Sequence, residues 1–148
     1  MIGGPPVVAS LRPPVSAACM AALLVLFLAR VVGQIIAATI APRWLPPMAR
    51  WYSGVMPYRY LLPTQIVFVV LMAAASVEVA TEAPPLGATW HDGGVVMVWA
   101  SYVYALGMTV RALRYALTPP ERRGVLIPII FHFVLAAFLF VWGSALVR

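Results

Sequence analysis

Val15-Ser-Ala-Ala-Cys-Met-Ala-Ala-Leu-Leu-Val-Leu-Phe-Leu-Ala-Arg30-Val-Val-Gly-Gln-Ile-Ile-Ala-Ala-Thr-Ile-Ala41 is one apolar run broken by a single charge. It exceeds the roughly 20 residues that cross a bilayer as a helix, so the run predicts a tilted or overlong first span. Arginine at such depth costs about 2.5–3.5 kcal/mol on insertion scales, which makes Arg30 a residue with a partner or a task. Gln34 follows one helical turn later. Helical spacing places Leu23, Arg30, Gly33, Gln34, Ala37 and Ala41 on one face. Gly33 and Ala37 form a small-xxx-small pair on it, a pattern that lets a neighbouring helix approach closely.

The remainder of the chain repeats the apolar pattern. Further spans are predicted at about 61–79, 95–113 and 125–147. Of the 148 residues, 64% are hydrophobic and 9% charged, with mean hydropathy +0.96. A soluble domain carries about 25% charged residues, so the composition is that of a membrane protein. The fold expected is an all-α bundle of four transmembrane helices forming a single integral-membrane domain over 1–148, with neighbours in sequence packed antiparallel.

The first 14 residues, rich in Gly and Pro, are read as an irregular tail, and the run after them as a retained helix rather than a cleaved signal peptide. Pro63 falls in the first turn of its span, where proline is tolerated. The second loop, 80–94, contains Trp90, His91 and Asp92.

The net charge of +6 comes from ten basic residues. In a soluble protein it would suggest nucleic acid. Here the arginines flank apolar spans, so charge reads as topology and no nucleic-acid partner is expected. Arg43, Arg50, Arg59, Arg111, Arg114, Arg122 and Arg123 fall on one side. Arg12 and Arg148 fall on the other, with Glu78, Glu82 and Asp92. The positive-inside rule then puts loops 42–60 and 114–124 in the cytoplasm and both termini outside. All basic residues are Arg, and Ala, Pro and Gly are abundant, a composition suggesting a high-GC bacterial genome and hence the cell inner membrane.

Loop 43–60 reads Arg-Trp-Leu-Pro-Pro-Met-Ala-Arg-Trp-Tyr-Ser-Gly-Val-Met-Pro-Tyr-Arg-Tyr. Trp44, Trp51, Tyr52, Tyr58 and Tyr60 alternate with Arg43, Arg50 and Arg59. Aromatics settle at the headgroup level and arginines meet phosphates there, so an interfacial anchor is the simpler reading. A lid or docking surface is the sharper one.

Gln65, Tyr102, Tyr104, Thr109 and His132 fall at depths comparable to Arg30 and Gln34. The expectation is one polar cluster in the cytoplasmic half of the bundle, with Arg30 at its centre. The acids Glu78, Glu82, Asp92 and Glu121 lie at the wrong depth to meet it. Arg30 can bond to Gln, Tyr and backbone carbonyls, or snorkel toward phosphates. It can bind an anionic headgroup, or pair with a carboxylate on another subunit.

Several chemistries fall away. A proton-coupled exporter needs a membrane-embedded carboxylate, and none is present. One cysteine, Cys19, excludes an intramolecular disulfide or a cysteine-built metal site. His91 and His132 sit at opposite depths, against bis-histidine haem. His91 and Asp92 lack a third ligand for zinc, so no metal site is expected. Serine–histidine catalysis lacks both an orienting acid and a GxSxG turn. No motif names a cofactor.

Two readings survive. The leading one is a non-catalytic subunit or interaction module of a homo-oligomer or a larger membrane assembly. The alternative is a small membrane enzyme or carrier that binds an anionic amphiphile (a lipid, a quinone-like molecule or a carboxylate) through Arg30, with Gln34, Gln65, Tyr104 and His132 completing the contact.

Overall fold

The first helix, α1 (Pro13–Thr39), ends short of the apolar run that forms it. Ala41 adopts a left-handed conformation at φ 47. Its N–H reaches back to the Ile36 carbonyl at 3.1 Å, and Pro42 has no N–H to extend the ladder. Ala41, expected on the small-residue face, therefore lies beyond the helix and is exposed. Pro13, assigned to the irregular tail, instead opens the helix, because the first-turn N–H groups have no intrahelical partner to lose.

The computed structural model describes residues 13–51, 57–81, 90–119 and 126–147. Tyr52, Glu82, Glu121, Arg12, Arg122, Arg123 and Arg148 lie outside them. The remaining elements are α2 (Met48–Trp51), α3 (Tyr58–Ala80), α4 (Trp90–Leu117) and α5 (Leu126–Leu146). α1, α3, α4 and α5 are each long and apolar enough to cross a membrane.

The long helices depart from expectation mostly at their ends. α3 starts at Tyr58, so Pro63 lies inside the helix rather than in its first turn. The carbonyl of Arg59 thereby loses its i+4 donor. α4 begins at Trp90 and takes in His91 and Asp92, both assigned to a loop. Asp92 in the first turn suits the positive end of the helix dipole. α2, a single turn, was not expected.

α1 and α5 form the centre of the bundle. α3 packs on α1, α4 packs on α5, and α3 touches α5 only lightly. Among the described residues α3 and α4 do not meet, although they are consecutive membrane helices. Met20, Phe27 and Val31 of α1 mesh with Met72 and Ala75 of α3 and with Phe138 and Val141 of α5.

α4 and α5 approach more closely still. A Cβ added at Gly143 would lie 2.8 Å from the Gly94 carbonyl oxygen, so the two backbones touch. Glycine is required there by space.

The distribution of polarity is that of a bundle solvated by lipid. Ser16, Gln34, Gln65, Ser76, Ser101 and Ser144 are buried, whereas Val25, Val67, Val70, Val103 and Leu106 are exposed. Two of these hydroxyls bond their own backbone: Ser76 donates to the Met72 carbonyl at 2.7 Å and Ser101 to the Val98 carbonyl at 2.6 Å, whereas the buried Ser144 hydroxyl has no partner among the described residues. With water absent, such internal bonding is what makes polar side chains tolerable at depth.

Candidate functional site

Arg30 stands nine residues before the C-terminal end of α1, about 13 Å along the axis at 1.5 Å per residue. It retains 7% of its accessible surface, and its Nε has no hydrogen-bond partner. The guanidinium carbon lies over the Phe131 ring at 5.3 Å from the centroid. That is within the range of a cation–π contact, which in a desolvated setting contributes about 2 kcal/mol. An aromatic face softens the charge without neutralising it.

The side chain opens into a cleft of about 200 Å³. α1 supplies Phe27 and Arg30, α3 supplies Leu61, Thr64, Gln65 and Phe68, and α5 supplies Pro128, Phe131, His132 and Leu135. Trp51 of α2 completes the wall. Among the described residues no carboxylate lines it. Thr64 turns its hydroxyl to its own helix, donating to the Tyr60 carbonyl at 2.8 Å. The buried Oε1 of Gln65, like Arg30 Nε, has no partner. Polar capacity in this cleft is thus in place and unused.

Trp51, read as part of an interfacial anchor, is buried against the protein. The α1–α3 connection folds back so that its indole lies on Gly33, and a Cβ there would meet Cη2 at 2.8 Å. The indole Nε1–H donates to the Pro46 carbonyl at 2.9 Å, which fixes the ring's pitch. Gly33, expected to seat a neighbouring helix, seats a tryptophan from the single turn α2. Ala37, its companion, is buried as expected.

The other aromatic and basic residues of the connection behave differently. Trp44 is 76% exposed. Arg43, Arg50 and Arg59 are exposed and Tyr58 half-buried. Arg59 stacks over Tyr60 at 4.8 Å.

The structure brings Arg30, Gln65 and His132 to one cleft. Tyr104 stands behind it on α4, with its Oη 2.5 Å from His132 Nδ1 and the two rings edge-on at 89°. Gln34 is fully buried at 0% exposure, but it does not line the cleft, and both of its amide atoms lack partners. Tyr102 is exposed, with its ring against Trp99 and Phe140. The Thr109 hydroxyl bonds the Ala105 carbonyl at 2.8 Å. Neither belongs to the site.

Phe131, Phe68 and Trp51 carry weight that the sequence reading did not assign. Phe131 is next to His132, and an aromatic adjacent to a buried polar residue was the one available signal. Nothing in the local sequence places Trp51 over Gly33. Among the described residues, no group of His, Cys, Asp and Glu could hold a metal ion.

The helices, the lipid-type exposure and the inward polar groups define an integral membrane protein with a bundle of four spanning helices. Comparison with protein-family models, curated proteins and solved structures gives no match.

Proposed function

We propose that this protein is a membrane-embedded binding module for an anionic amphiphile, held by its head in the Arg30 cleft. The observation that carries this reading is Arg30 itself: a cation 93% removed from solvent, with Nε unpaired, in a cleft whose walls hold no acid among the described residues. A buried charge without a counter-charge is costly, and an anion entering the cleft would relieve that cost. The apolar remainder of such a ligand matches Phe27, Phe68, Phe131 and Leu135. Binding sites for small molecules have this composition, apolar walls with a few convergent polar groups.

The arginine distribution supports a cytoplasmic membrane of a bacterial cell, with the α1–α3 connection and the cleft on the cytoplasmic side. The Thr64 hydroxyl is turned to its own backbone, and the role proposed is binding or carriage.

The subunit reading keeps one observation. Among the described residues α4 packs on α5 alone, and Val96, Val103, Val110 and Leu117, spaced by seven residues, are exposed on it.

Native mass spectrometry of the full chain, purified in mild detergent, separates the two. A co-purified anionic amphiphile that disappears in Arg30→Gln supports the binding module. A ligand-free oligomer, or a co-purified subunit bringing a membrane-depth carboxylate, overturns it in favour of the assembly.

A further inference from the structure

His132 lines the cleft, whereas Tyr104, bonded to its Nδ1, does not. Two proton placements satisfy that contact: the phenol donates to Nδ1, or Nδ1–H donates to the phenol oxygen. A phenol O–H is a stronger acid than a neutral imidazole N–H, and an imidazole nitrogen is a stronger base than a phenol oxygen. The phenol therefore donates. With Nδ1 accepting, the neutral ring carries its hydrogen on Nε2, the nitrogen that Tyr104 leaves free. Arg30 comes from α1 and His132 from α5, so donors approach from two helices.

We infer that the cleft holds a compact oxyanion head between Arg30 and the Nε2–H of His132, with Tyr104 as the positioning residue that keeps this histidine a donor. The inference rests on the proposed binding role and names its ligand class: a carboxylate or phosphate monoester on an apolar body. A neutral carbonyl would accept a hydrogen bond but leave the Arg30 charge uncompensated. A zwitterionic head would bring a second cation beside it. Size points the same way. A cavity of about 150 Å³ holds a benzene ring, so about 200 Å³ takes the head and a few carbons. A longer tail would run past Phe68, which is exposed on α3, into lipid.

The tautomer is read in the parent chain. The chain has two histidines, so histidine-selective ¹⁵N labelling with His132→Ala as the assignment control isolates the His132 ring signals. The expected spectrum shows hydrogen on Nε2, and a hydrogen on Nδ1 overturns the inference.

Binding is titrated by native mass spectrometry with oleate, oleyl phosphate and methyl oleate. The two anions are expected to bind at least about tenfold more tightly than the ester, as befits a charge-assisted hydrogen bond. Tyr104→Phe keeps the ring but removes the donor. It is expected to mix the His132 tautomers and weaken oleate about three- to tenfold without changing methyl oleate.

If Arg30→Gln abolishes oleate binding while Tyr104→Phe alters neither tautomer nor affinity, the two-donor inference fails and the binding module stands. If Arg30→Gln binds oleate as tightly as the parent, the binding module fails as well. Competition by oleyl phosphate but not by inorganic phosphate assigns the ligand to the bilayer, and equal competition assigns it to water. Both of those results support the oxyanion class.

Discussion

The Trp51 indole and the Gly33 backbone are in direct contact, so close that a Cβ on residue 33 would lie 2.8 Å from Cη2. This contact ties the α1–α3 connection to α1, one of the two central helices, and gives the Arg30 cleft one of its walls. Gly33→Ala is expected to push the indole off its seat. Overpacking of this kind costs about 1–3 kcal/mol, less where a side chain can swing away. Thermal unfolding in detergent should show the loss. In a Trp51→Phe background the same alanine should cost clearly less, because the clash partner has shrunk.

The α4–α5 crossing has less room to adapt. A Cβ at Gly143 would meet the Gly94 carbonyl oxygen at 2.8 Å, the Met97 Cβ at 2.9 Å and the Val98 nitrogen at 3.0 Å. Backbone atoms cannot swing aside. Gly143→Ala should therefore destabilise the helix pair by about 2 kcal/mol or more. Gly107 provides the control, since nothing lies within 4 Å of its added Cβ. Gly107→Ala should be neutral, or stabilising by up to about 1 kcal/mol through helix propensity. Equal effects at the two positions would contradict the close approach.

Arg30→Met should raise stability while removing ligand binding. The substitution deletes a buried, uncompensated charge and keeps a side chain that packs against Phe131. Replacing buried ionic groups by apolar ones of similar volume is commonly neutral or stabilising by about 1–4 kcal/mol. A higher unfolding midpoint combined with lost retention of amphiphile would mark Arg30 as held for function at a cost in stability. A large drop in midpoint would mean that Arg30 supports the fold instead.

The orientation in the membrane can be tested at the termini. With the arginine-rich connections facing the cytoplasm, a reporter active only outside the cytoplasm should work at both ends of the chain. Activity of a cytoplasm-only reporter at either end would reverse the assignment and place the Arg30 cleft in the opposite leaflet.

The helical architecture was legible because hydropathy acts locally. In lipid every backbone polar group must bond within its own helix, so a run such as 15–41 or 125–147 commits to that form before it meets any neighbour. Boundaries were less legible. Pro13, Tyr58 and His91 joined helices from stretches that looked irregular, since cap geometry and the first-turn bonds decide ends. Arg30, Gln65 and His132 were grouped from depth alone. Depth follows from residue counting at 1.5 Å per residue, and it placed them within reach of one another.

What the sequence by itself determined is that four helices are long and apolar enough to cross a membrane and that Arg30 lies deep in the first. Tertiary structure decided which helices meet: α1 and α5 at the centre, with α3 and α4 kept apart. It also decided that Trp51 covers Gly33, and that Tyr104 reaches His132 from behind the cleft. The physical reason is the same in each case. Burial in lipid fixes the depth of a residue, whereas its azimuth around the helix, and hence its partner, depends on how side-chain shapes from distant parts of the chain fit together.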